Sequence, residues 1–142
     1  MGTALYDSVD DIINLINDKW NTGSDDAGIL PRVVKIWDEK TIGYGNSRQA
    51  TILVEPKKET IDYFNLYGTD FLHEISIKLD VRTYLDDYVH DKIINEVLRI
   101  IKDNVRRDNY VDLRVISSEP LSHLYRNMFR HMVEVSYRKI NP

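Results

Sequence analysis

The chain reads as an α+β domain of order α-β-β-β-α-β-β, with a mostly antiparallel sheet and helices packed on one face. Three observations predict this. Residues 71–82 alternate strictly, with Ile75, Ile77, Leu79 and Val81 on one parity and Glu74, Ser76, Lys78, Asp80 and Arg82 on the other. Side chains alternate across a strand, so this segment has one apolar and one charged face. A second alternating run closes the chain over 127–140, where Phe129, His131, Val133, Val135 and Tyr137 oppose Met128, Arg130, Met132, Glu134, Ser136 and Arg138. Two segments instead repeat their apolar residues at helical spacing, one near the N-terminus and one directly after the first alternating run.

The first helix is expected over 9–20. Val9, Ile12, Ile13, Ile16 and Trp20 form its stripe, Ser8 can cap it, and Asp11 stands three residues later in the capping-box position. Asp10 and Asp11 suit the positive end of its dipole. Residues 21–28 are a loop by composition. A strand rich in Val33, Val34, Ile36 and Trp37 follows over 32–38, then an open turn with Gly43 and Gly45. A second strand covers 50–55, and Pro56 ends it or places it at an edge. A polar connection then carries the aromatic cluster Tyr63, Phe64 and Tyr67 into the alternating strand. The second helix runs from a cap at Asp86 or Asp87 to about Arg106. Its stripe is Val89, Ile93, Val97, Ile100 and Ile101, with Ile94, Leu98 and Val105 beside it. Residues 110–116 alternate again, with Val111, Leu113 and Val115 inward and Asp112 and Arg114 outward. Residues 117–125, with Pro120, read as a loop before the closing strand.

The chain of 142 residues suits one domain, spanning 1–142, with a sizeable core; 42% hydrophobic and 30% charged content describe a globular protein. The net charge of −4 argues against a dedicated nucleic-acid binder. With no cysteine there is neither a disulfide framework nor a thiolate metal site. No apolar run approaches the roughly 20 residues of a membrane span, so no membrane partner is expected. The N-terminus lacks the basic and apolar regions of a signal peptide.

Candidate chemistry is sparse. Glu55-Pro56-Lys57 at a strand end matches the core of a metal-dependent nuclease signature, in which carboxylates hold a divalent cation and the Lys assists an activated water. Asp38 is the only candidate for the missing upstream acid, Pro56 disturbs the strand between the acid and the Lys, and a solvated turn is the preferred reading of the three residues. His73, His90, His123 and His131 show no ligand spacing. His73 and His131 read as core-edge imidazoles and His90 as an exposed helix-flank residue. Gly43-Tyr44-Gly45 lacks the rest of a phosphate cradle, and no nucleophile elbow occurs. No cofactor, metal or catalytic residue is therefore expected.

What remains is surface. Arg130 and Arg138 make the closing strand basic on its polar parity, and Arg114 and Lys78 extend that face from neighbouring strands. With Glu74, Asp80 and Arg82 this is either a solubilising sheet surface or one that docks a partner. Tyr63, Phe64 and Tyr67 suit a partner anchor, since Tyr is enriched at interfaces.

The element order and segment lengths resemble the tail-terminator and tail-completion proteins of tailed viruses. The resemblance rests on the helix 8–20 before Pro31-Arg32-Val33-Val34. It rests also on the alternating strand 73–82 that runs through Thr83-Tyr84-Leu85 into the second helix. Its third basis is the closing strand 125–139, with Arg126 ahead of Val133, Val135 and Tyr137. It implies a structural virion subunit, made in the host cytoplasm, with no catalytic residues. It further implies a homo-oligomeric ring that docks to neighbouring tail-tube and neck proteins, with DNA at most passing through the lumen. Two other readings stand beside it: a small metal-dependent nuclease using Glu55 and Lys57, and a partner-binding module of a cellular complex using the same sheet face.

Overall fold

The computed structural model describes residues 4–20, 31–35, 50–63, 71–83, 87–107, 110–121 and 128–140. The elements follow the expected order: α1 (Ala4–Lys19), β1 (Arg32–Lys35), β2 (Ala50–Tyr63), β3 (Phe71–Thr83), α2 (Asp87–Asp103), β4 (Val111–Leu121) and β5 (Phe129–Ile140). The fold is α+β. The strands form one sheet of order β1-β2-β3-β5-β4. β1 runs parallel to β2, and the other neighbours are antiparallel.

β3 lies at the centre, paired along its whole length with β2 on one side and β5 on the other. Its apolar parity explains that place. Ile75, Ile77, Leu79 and Val81 are all 0% exposed. They join Ile52 and Val54 of β2 and Val133, Val135 and Tyr137 of β5 in one cluster with residues of both helices. Each such side chain contributes about 1.5–3 kcal/mol by leaving water. Both helices thus pack on the same sheet face. α1 supplies Val9, Ile12, Leu15 and Ile16, and α2 supplies Ile93, Ile94, Val97, Ile100 and Ile101.

The first helix starts five residues before the expected Val9, and Ser8 is not its cap. Ser8 is buried inside the helix, and its carbonyl oxygen accepts a hydrogen bond from the Tyr137 hydroxyl at 2.8 Å. Asp11 forms no capping box but an ion pair with Lys139 of β5. Ala4 and Leu5 are strong helix formers, and they carry the helix through a position that local capping rules would make its start. The second helix ends at Asp103, short of Arg106, and Val105 beyond it is exposed rather than packed beside the stripe.

Two strands are longer than their local patterns imply. β2 continues through Pro56 to Tyr63, so the stretch expected as a connection is half of a hairpin with β3. Pro56 does not end it. The pairing with β1 stops at Val54, which leaves Pro56 where no ladder bond to β1 is required, and the register shifts between Pro56 and Lys58. β4 likewise continues through Pro120 to Leu121, where a loop was expected. It is an edge strand, so a missing N–H costs little there. Register shifts at Val111/Arg114 and Val115/Ser117 break its expected parity. Leu113 is buried, but Val115 is exposed. Asp112, inside the first shift, has φ 58°, a left-handed conformation that Asp tolerates better than most residues. Two bulges, a proline and the charges of Asp112, Arg114 and Glu119 are devices that discourage strand addition at an edge.

Candidate functional site: the sheet face opposite the described helices

No described helix packs on the second face of the sheet. Register places its side chains in rows across the strands. One row is Arg32, Thr51, Arg82, Arg130 and Leu121. The next is Val34, Leu53, Asp80, Met132 and Glu119, and the third is Glu55, Lys78, Glu134 and Ser117. Beyond them lie Lys58, Ser76, Ser136 and Arg114, then Thr60, Glu74, Arg138 and Val111. The face is therefore banded, with arginines at one end, a partly apolar row beside them, and alternating charges beyond.

The charged parity of β3 is not uniformly wet. Glu74 and Lys78 are half-buried, whereas Asp80 is 3% and Arg82 9% exposed. The Asp80 carboxylate joins two guanidiniums. Its Oδ2 accepts from Arg82 Nη2 at 3.0 Å and from Arg130 Nη2 at 2.9 Å, and its Oδ1 accepts from Arg130 Nε at 3.2 Å. Arg82 and Asp80 stand two residues apart on one strand face, and Arg130 is opposite Arg82 on β5. The buried acid is thus paired with two guanidiniums, as a buried charge requires. Leu53, in the same row, is 1% exposed.

The other expected surface residues distribute along the face. Arg114 lies 3.7 Å from Glu74, and Arg138 lies 3.5 Å from Asp112. These pairs are exposed and contribute little. Tyr63 pairs with Phe71 through the backbone at the end of the β2–β3 hairpin. Its side chain, with Phe64 and Tyr67, lies outside the described residues, as do residues 21–30, 36–49 and 122–127, and with them Asp38 and His123.

Glu55 and Lys57, the pair that raises the nuclease reading, are parted by the bulge. Lys57 Nζ donates to Glu134 Oε1 at 2.6 Å, two strands away. Among the described residues there is no group of three His, Asp or Glu placed to hold a metal ion, and no helix long and apolar enough to cross a membrane.

The described histidines sit on the helix side. His73 Nδ1 is 2.9 Å from Glu59 Oε2 at the core edge. His90 is not exposed. It is buried, with Nδ1 2.9 Å from the Thr83 hydroxyl, and its ring packs on Phe129 and His131. The reason is that the end of β3 lies beneath the first turns of α2, so the helix flank at His90 faces the sheet rather than water. His131 Nε2 is 2.6 Å from the Ser118 hydroxyl of β4. Burial lowers the His131 pKa, against the opposing pull of Asp91 and Glu119.

Sequence reasoning missed the Asp80 cluster and the burial of His90. The acid and arginine at i and i+2 on β3 are visible in the chain, but their partner Arg130 comes from a strand 50 positions away. Neither a family model nor a curated protein matches this chain.

Proposed function

We propose that this chain is a non-enzymatic structural subunit of a virion, a ring-forming tail terminator or neck (head–tail connector) subunit that docks to adjacent tail-tube and neck proteins. The observation that carries this reading is the make-up of the sheet face opposite the two described helices. It carries ordered rows of arginines, apolar side chains and alternating charges, of which Arg32, Lys58, Thr60, Arg114 and Glu119 are exposed while Thr51, Leu53, Asp80, Arg82 and Ser136 are buried. A surface of this make-up, with an apolar strip beside charged rows, has the anatomy of a protein interface. The α-βββ-α-ββ order adds the resemblance to tail-terminator subunits, an analogy of fold that bears on function only through such a surface. In a closed ring each copy offers one patch to one neighbour and a different patch to the other. DNA would pass through the lumen without sequence readout.

Electron microscopy of the purified protein, with multi-angle light scattering across a concentration series, tests the proposal. Closed rings with a central opening are the expected outcome. A monomer at every concentration, together with particles that contain no such ring, would overturn it.

A further inference from the structure

Three reactive groups come together on the helix side of the sheet, where the start of α2 meets β4 and β5. Ser118 of β4 is exposed, and its Oγ lies 2.6 Å from Nε2 of His131 on β5. Register puts both side chains on one face, since Ser118 is opposite Val133 and Pro120 is opposite His131. His131 is half-buried, with the ring of His90 against it at 6.2 Å between centroids. Asp91, exposed near the start of α2, is close enough to favour a proton on the His131 ring, as is Glu119 of β4. A hydroxyl open to water gains little stability from a bond to an imidazole, so folding does not explain the arrangement. Hydroxyl, imidazole and carboxylate in that order are the parts of an activated serine.

We infer that Ser118 is an activated nucleophile that takes up an acyl group from an activated ester, with His131 as its general base and Asp91 as a positioning residue. Oγ bonds to the carbonyl carbon, and its proton passes to His131 Nε2. The C–O bond of the ester breaks, and the leaving alcohol or phenol departs as its anion with the electron pair. In the tautomer with the proton on Nδ1, the Ser118 hydroxyl donates to Nε2 and is aligned for this transfer. Burial keeps the imidazole below its ordinary pKa, so at neutral pH it is uncharged and able to accept the proton. β4 is an edge strand with regular pairing from Ser117 to Leu121, and alternate backbone N–H groups of an edge point away from the sheet. Ser118 therefore has such a donor on itself or on its two neighbours, near where the carbonyl oxygen turns negative. The site goes beyond the ring reading and does not depend on it, since a monomer would react in the same way.

Acetylation by p-nitrophenyl acetate tests the inference, with the modified peptides of the full chain followed over time by mass spectrometry. Ser117 is the internal control, because it is also exposed but points to the opposite sheet face, away from His131. Ser118 should be acetylated about 100-fold faster than Ser117, the lower end of what a general base contributes. The rate should rise with pH and level off, with a midpoint below the ordinary histidine value of 6.5. His131→Gln should remove the advantage of Ser118. Asp91→Asn should move the midpoint to lower pH, which a merely structural role would not do. Equal rates at Ser118 and Ser117 in the wild type would overturn the inference whether or not the variants fold. An advantage that survives His131→Gln, or a rate without an inflection in the histidine range, would overturn it as well.

Discussion

Asp80 of β3 and Arg130 of β5 meet side by side on the sheet face opposite the two described helices, Oδ2 to Nη2 at 2.9 Å, with Arg82 closing on the same oxygen. Removal of the Asp80 carboxylate leaves two guanidiniums side by side with no counter-charge. Asp80→Ala should therefore destabilise the fold by about 3–5 kcal/mol in denaturant unfolding. A loss under 1 kcal/mol would mean that water already reaches the cluster.

Lys57 and Glu134 bond at a similar distance but in a different setting, since the Lys57 side chain is 42% exposed. Lys57→Ala should cost less than about 1 kcal/mol. The comparison with Asp80→Ala under the same conditions separates burial from geometry as the source of an ion pair's contribution.

Two tyrosine rings, Tyr110 and Tyr137, meet tilted by 49° at 4.9 Å between centroids and make opposite predictions. The Tyr137 hydroxyl donates to the Ser8 carbonyl, so Tyr137→Phe should cost about 1 kcal/mol. The Tyr110 hydroxyl is buried without a hydrogen-bond partner, and burial pushes its pKa up to about 12. Tyr110→Phe removes an unsatisfied group and should be neutral or stabilising by about 1 kcal/mol. Paired thermal melts of the two variants check the difference in sign.

Stability should fall as pH drops through the histidine range. Burial lowers the His131 pKa below its ordinary value of 6.5, so below that pH the unfolded chain binds a proton that the folded chain resists. Stability from this group is present above the unfolded pKa and declines as pH falls toward the folded one. His131→Gln, which keeps a polar partner for Ser118, should flatten the unfolding free energy between pH 7 and pH 5, about the range in which histidine titrates. An unchanged slope would place the dependence elsewhere.

The central strand and the second helix were legible because their information is local. The alternation of 71–82 names the buried residues of β3, and the stripe from Ile93 to Ile101 names those of α2, whatever lies around them. The lengths of β2 and β4 were not legible. Pro56 and Pro120 are breakers in isolation and are tolerated because the pairing of β1 with β2 reaches only Val54 and β4 is an edge, both facts of sheet order. Ser8 is likewise a good local cap that tertiary structure turns into a buried acceptor for Tyr137.

The sequence by itself determined the α+β order, the apolar parity of the central strand and the outward charge of its other face, since periods of 2 and 3.6 are properties of the chain alone. Only the tertiary structure decided which of those charges are buried. Asp80, Arg82 and Arg130 belong to one parity in the sequence, yet antiparallel pairing of β3 with β5 brings residues 50 positions apart into one cluster. Glu74 and Lys78, written in the same pattern, stay half-buried. Desolvation depends on what lies across the strand, and no local period records that.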